Sequence, residues 1–335
     1  MGGNVFSEGV TRRYQADEYF DLADEVGDKL LRISDVLGYE IIPAYREKES
    51  FGDCDILYST CDDVPIDQFI FSTHFNTSYV SRNSEVTSIA YKQLQIDFIH
   101  IPQKHFDYAL GFFSNNDFGN IASKLFRYFG LRHGHMGLYL VLRDGDNKFG
   151  EVLLTLDHDL ALTFIELDPT VFNSGFDNLK EMFDYAVTSP YYNPENYLLE
   201  NISSAGRVRD KKRPTYQAFL KYGETYTGPR AEKVIDKSVF LQKIFEFFPD
   251  AYPAYKDAMQ KLAVQKFVKE KFNGNIVSDI TGLRNKELGV FMQELKKDWY
   301  CSPENIIYLS DKQLFDLVMV KLRVSKVAGH LYTKI

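Results

Sequence analysis

The sequence predicts an α+β chain in which a mixed β-sheet with flanking helices is followed by an all-helical C-terminal domain. Between residues 39 and 101, short runs rich in β-branched and aromatic residues follow one another, as strands do. Residues 14–37 space Tyr19, Leu22, Ala23, Val26, Leu30, Leu31 and Val36 near 3.6 residues apart, the period of an amphipathic helix. Beyond residue 214 the periodicity is helical throughout, over 233–248, 255–272, 286–299 and 312–324. A length of 335 residues suits about two domains. Their expected extents are 1–200 and 215–335, joined by a basic linker over 201–214.

In chain order, the helix over 14–37 is expected to cover one face of a sheet that begins at Tyr39-Glu40-Ile41-Ile42. Strands are expected over 68–72, 77–81, 86–91 and 94–101, with Cys61 to Pro65 as a loop. Helices follow over 104–113 and 118–129, with Gly130 as a stop. Arg132-His133-Gly134-His135 reads as a turn after that helix, the alternative being a two-histidine metal contact from one strand face. Residues 138–143 and 151–156 form a hairpin around Asp144-Gly145-Asp146, and Asp157 caps the next helix.

The chemistry concentrates in Ser50-Phe51-Gly52-Asp53-Cys54-Asp55-Ile56-Leu57-Tyr58. On a strand, Asp53 and Asp55 share a face because side chains alternate. Gly52 is expected to carry the backbone into that strand through a conformation other residues resist. Two carboxylates held side by side repel unless a cation neutralises them, and oxygen-only ligands favour a hard ion such as Mg²⁺. Asp97, inside the apolar run Ile96-Asp97-Phe98-Ile99-His100-Ile101, is costly there unless paired or ligated, which makes it a candidate third ligand. The alternative for all three is a solvated loop.

The run Pro43-Ala44-Tyr45-Arg46-Glu47-Lys48-Glu49-Ser50-Phe51-Gly52-Asp53-Cys54-Asp55 resembles the catalytic motif of family X DNA polymerases and the wider polymerase-beta-like nucleotidyltransferases. The strand carrying Asp97 and the helix ending Phe112-Phe113-Ser114-Asn115-Asn116 are similar to the segments that follow in that family, as are Asp177 to Tyr185 and Tyr191 to Pro194. Lys271 to Gly274 and Thr281 to Gly289 resemble the tail of tRNA nucleotidyltransferases and bacterial poly(A) polymerases, an ordinary helix-turn-helix corner being the alternative. Where the family carries Gly-Ser before the Arg, this chain has Ile42-Pro43. Gly2-Gly3-Asn4 resembles a glycine pair of the tRNA enzymes but precedes the first helix.

The resemblance implies a nucleotidyltransferase palm with an adjoining nucleotide-binding lobe over 1–200. It implies transfer of a nucleoside monophosphate from an NTP to a 3′ hydroxyl, with pyrophosphate released, on two Mg²⁺ ions (or Mn²⁺) held by Asp53, Asp55 and Asp97. Arg46, Lys48, Ser50 and Gly52 are then expected on phosphate, and Phe112 and Phe113 against the base or sugar. Nucleotidylation of a protein or small molecule, and a catalytically silent nucleic-acid-binding protein, are the alternatives.

Charge bears on the acceptor. Residues 206–335 carry 24 Lys and Arg against 15 Asp and Glu, leaving 15 against 32 in residues 1–205, within a net charge of −8. A basic helical half suits a polyanion, most readily RNA, with Arg207, Arg209, Lys211, Lys212 and Arg213 as its expected contacts. A solvated helical surface is the alternative reading of that half. Only about forty residues precede the motif, too few for the helical domains of a gap-filling polymerase. No apolar run reaches the roughly 18 residues of a membrane span, and the N-terminus lacks the basic-then-apolar order expected of a signal peptide. Three cysteines without ligand spacing, Cys54, Cys61 and Cys301, suit free thiols in a reducing cytoplasm.

Overall fold

The computed structural model describes residues 5–325, so the Gly2-Gly3-Asn4 resemblance lies outside the described residues. The chain divides into two compact units, Met1–Ala251 and Tyr252–Ile335.

The first unit opens with β1 (Tyr14–Gln15) and α1 (Ala16–Leu30). Next come β2 (Val36–Ile41), β3 (Ser50–Phe51), β4 (Asp53–Thr60), α2 (Gln68–Phe75), β5 (Val80–Asn83), β6 (Val86–Tyr91) and β7 (Leu94–His100). A five-stranded sheet runs in the order β2-β4-β7-β6-β5, with β4 and β7 parallel and the other neighbours antiparallel. The α+β class read from the sequence is the class observed.

Alternation along β4 sends Cys54, Ile56 and Tyr58 to one face, where Tyr19, Leu22, Val26 and Leu30 of α1 and Phe71 and Phe75 of α2 bury them. Phe98 of β7 stacks on Phe71 at 4.5 Å between centroids. Burying side chains of this size stabilises by about 1.5–3 kcal/mol each. Leu57 goes to the opposite face, against Ile99, Ile101 and Phe106.

Two local expectations change. Residues 68–72 are helical because the Asp67 carboxylate accepts the Phe69 N–H at 2.7 Å, capping α2, and because Phe71 and Phe75 fall one turn apart on its buried side. The first helix ends at Leu30, and Val36, the last residue of its apolar series, enters β2 opposite Thr60.

After β7 come α3 (Phe106–Phe113) and α4 (Phe118–Tyr128), the latter stopped by Gly130 at φ +79°. A second, antiparallel sheet has the order β10-β9-β8, from β8 (Leu131–Gly134), β9 (Gly137–Asp144) and β10 (Asn147–Thr155). His133 therefore lies on a strand, not in the expected turn, because Leu131 to Gly134 pair with β9. Helices α5 (His158–Phe164), α6 (Pro169–Ser174), α7 (Leu179–Ala186), α8 (Ser204–Asp210), α9 (Pro214–Glu224) and α10 (Leu241–Phe247) complete the unit. Asp157 caps α5 through the Leu160 N–H, as its sequence suggested.

The stretch expected as a linker contains α8, whose last residue, Asp210, is fully buried and ion-paired with Lys124 of α4 at 3.3 Å. A buried carboxylate with its cation fastens this segment into the first unit, and the division between compact units falls after Ala251.

The second unit is helical: α11 (Tyr252–Lys271), α12 (Gly274–Thr281), α13 (Asn285–Lys296), α14 (Pro303–Ile306) and α15 (Asp311–Val324). Phe272, Val277, Leu283, Phe291, Leu295, Ile306, Leu314 and Val318 form its core. Its ends are set by the Asn273 cap, Gly282 at φ +75°, and a Ser310/Gln313 capping box.

Candidate metal and nucleotide site

Parallel pairing of β4 with β7 sets Asp55 opposite Asp97 and Asp53 opposite Gln95. Asp53, Asp55 and Asp97 are each half-buried, and one carboxylate oxygen from each lies within 4.8 Å of the others. Gln95 Nε2 donates to both oxygens of Asp97, at 2.9 and 3.1 Å, which fixes that carboxylate. Burial, reinforced by Asp53 and Asp97, raises the Asp55 pKa well above the ordinary carboxylate range. Burial raises Asp97 as well, although hydrogen bonds from Ser88 and Gln95 work against it. Behind them, burial pushes the Cys54 thiol up to about 12. An all-oxygen cluster with this much mutual repulsion fits a hard divalent cation.

Asp53 and Asp55 open onto a cleft of about 1480 Å³. Among the described residues ten basic side chains line it against four acidic ones, Asp53, Asp55, Asp117 and Glu151. Several of the cations are engaged: Arg132 forks onto Glu151 at 2.7 and 2.9 Å, Lys148 joins the same carboxylate, Arg213 pairs with Asp117, and Arg12 with Glu18. Among the described residues Arg13, Lys48, Arg127, Arg143 and Lys237 form no ion pair. A cleft lined this way raises the local concentration of anions.

The residues singled out from sequence fall in different places. Lys48 lines the cleft with its ammonium 4.4 Å from the Phe51 ring centroid. Burial lowers the Lys48 pKa, while Asp53 and Asp55 oppose the shift. Phe112 and Phe113 also line the cleft, edge to face at 5.2 Å, and Phe113 stacks on His135. Gly52 is buried in the wall, but its φ is not positive, so it is no conformational hinge. Ser50 accepts hydrogen bonds from Arg13 through its hydroxyl, at 3.0 and 3.2 Å, and through its carbonyl at 2.8 Å.

Arg46 is turned out of the cleft. Its guanidinium pairs with Asp177 and donates to the Ser174 carbonyl, and its backbone N–H bonds Phe176. It fastens the motif loop to the segment after α6 and does not line the cleft. Of the basic run, Arg209 and Arg213 line the cleft, whereas Arg207 donates to the Leu199 and Glu200 carbonyls and Lys211 and Lys212 are exposed outside it. His133 and His135 join no group of three metal-binding side chains among the described residues.

Sequence reasoning missed Arg12 and Arg13. The β1–β3 pairing, Tyr14 with Phe51 and Gln15 with Ser50, brings them to the mouth of the cleft. Their one local signal was an adjacent arginine pair just ahead of an amphipathic helix. Arg127, Arg132, Arg143 and Lys148 were missed because they come from α4 and the second sheet.

No family model and no curated protein matches the chain. Among solved structures it is similar to Leishmania infantum polymerase beta in a ternary gap complex, at 15% identity and a TM-score of 0.33, covering 41% of this chain and 54% of that one. The same polymerase in a ternary P/T complex gives 15% identity and a TM-score of 0.32, with 41% and 63% covered. The chain thus spans less than two thirds of the length of these structures. No helix of the described residues is long and apolar enough to cross a membrane.

Proposed function

We propose that this chain is a metal-dependent nucleotidyltransferase that moves a nucleoside monophosphate from an NTP to the 3′ hydroxyl of an RNA. The observation that carries the reading is the three-carboxylate cluster, with Asp55 in register opposite Asp97 and with Asp53 and Asp55 opening onto a cation-lined cleft. Asp53, Asp55 and Asp97 would hold Mg²⁺. Bound there, divalent ions would supply Lewis acidity, lowering the pKa of a hydroxyl and neutralising charge on pyrophosphate.

The protein groups divide the remaining work. Asp97, pinned by Gln95, presents a fixed carboxylate oxygen that can take the proton of the attacking hydroxyl. Lys48 and Arg13 offer cationic donors for a triphosphate beside Asp53 and Asp55, in a chain with Ile42-Pro43 where the resembling family has Gly-Ser. Phe112 and Phe113 give an apolar wall for a base. An acidic chain with ten cations concentrated in one cleft supports a polyanionic acceptor.

The test incubates the chain with each labelled NTP, Mg²⁺ and, separately, RNA, DNA or protein. Label on RNA that disappears with Asp53→Asn supports the reading. Label on protein moves the acceptor to the second class, and no transfer to anything refutes the activity.

A further inference from the structure

A smaller cavity adjoins the cleft, and its walls differ in kind from those of the carboxylate site. It holds about 140 Å³, small beside the roughly 300–1,000 Å³ of ordinary small-molecule sites, and so suits one chemical group more than a whole ligand. Lys124 and Arg127 reach it from successive turns of α4, and Lys233 and Lys237 from the segment before α10. Among the described residues no carboxylate lines it; Asn196 and Asn201 supply its neutral polar wall.

The positive charge here exceeds what the protein compensates. Asp210 is the nearby anion, and it is shared: Lys124 at 3.3 Å and Arg209 at 2.7 Å both bind it. Arg127, Lys233 and Lys237 form no ion pair among the described residues. Burial pushes Lys124 down to about 8, and Arg127 adds to that shift. Burial also lowers Arg127 and then Lys237, with Arg209 and Lys233 respectively contributing repulsion. Cations crowded until they repel one another are stabilised by an anion that bonds several of them at once.

We propose that the cavity bounded by Lys124, Arg127, Lys233 and Lys237 is a binding site for a phosphate group. Arg127 and Lys237 line both this cavity and the cleft, so a ligand lying in the cleft can seat a phosphate here. The site stands apart from the carboxylate cluster and needs no divalent ion, which separates it from the nucleotidyltransferase reading.

The test is calorimetric titration of the full chain with inorganic phosphate in EDTA, followed by competition against a fluorescent single-stranded oligoribonucleotide with and without a 5′-phosphate. Wild type and Asp53→Asn should bind phosphate alike, and Lys233→Ala/Lys237→Ala should bind about tenfold more weakly or worse. Lys104→Ala/Lys221→Ala, removing the same charge from exposed positions elsewhere, should change nothing. Displacement of only the 5′-phosphorylated oligonucleotide identifies a terminal phosphate, and equal displacement of both identifies backbone diesters. Absent phosphate binding, or binding unchanged in a folded Lys233→Ala/Lys237→Ala variant, overturns the proposal.

Discussion

Replacing Asp55 by Asn should make the ion-free protein more stable while removing its response to Mg²⁺. With carboxylate oxygens 4.8 Å apart or less, a fully ionised pair repels by about 3.5 kcal/mol at an effective dielectric constant of about 20. The raised pKa of Asp55 means that part of this repulsion is already relieved by protonation, so about 1–3 kcal/mol remains to be gained. In a unit of this size that corresponds to a rise of about 2–12 °C in the unfolding midpoint in EDTA. Among the described residues the Asp55 side chain makes no hydrogen bond that the amide would forfeit.

The sign with pH follows from the direction of the shift. A carboxylate whose folded pKa lies above its unfolded value, about 4, binds protons more tightly when folded, so its contribution to stability falls as pH rises through the folded pKa. The advantage of Asp55→Asn over wild type should therefore grow as pH rises above about 4. Mg²⁺ at a hundred times its Kd should stabilise wild type by about 2.7 kcal/mol and leave the variant unmoved. Differential scanning fluorimetry in EDTA and in Mg²⁺, across pH, reads all three effects. A variant less stable than wild type in EDTA, or equal Mg²⁺ shifts in both proteins, refutes the reasoning.

Arg13→Ala should raise the KM for NTP about tenfold or more with a smaller change in kcat if, as proposed, its guanidinium, which lines the cleft, donates to the triphosphate; steady-state kinetics with Arg13→Lys as partial rescue checks it. His158 lies buried with neither ring nitrogen hydrogen-bonded, its pKa pushed down to about 4 by burial. Its contribution is intact above the unfolded value of about 6.5 and is lost as pH falls toward 4, amounting to about 3 kcal/mol. In His158→Phe that acid-side loss should flatten in urea titrations repeated from pH 7 to 4.

The carboxylate pair was legible because two residues on one strand share a face whatever the fold around them. Asp97 was legible for an energetic reason, a charge inside an apolar run, but its register against Asp55 depends on a crossover through α2, β5 and β6 that no local pattern encodes. The pairing of Arg46 was not legible because its partner, Asp177, stands 131 residues away. The basic run over 207–213 read as part of a linker because its five positive charges outweigh Asp210; the carboxylate is what anchors it, through a lysine on α4. Residues 68–72 misled through the strand propensity of Phe and Ile, which a single Asp cap and one turn of buried phenylalanines overrode.

The five-stranded sheet ends at His100, so every strand carrying a carboxylate of the cluster is synthesised before the first residue of the second unit exists. Slipping β7 by one position against β4 would flip Asp97 to the far side of the sheet and dismantle the cage. If the cluster binds a divalent ion as proposed, an ion met by the nascent chain would favour the correctly aligned strands over this slipped pairing, and the site would proofread the sheet on which it is built.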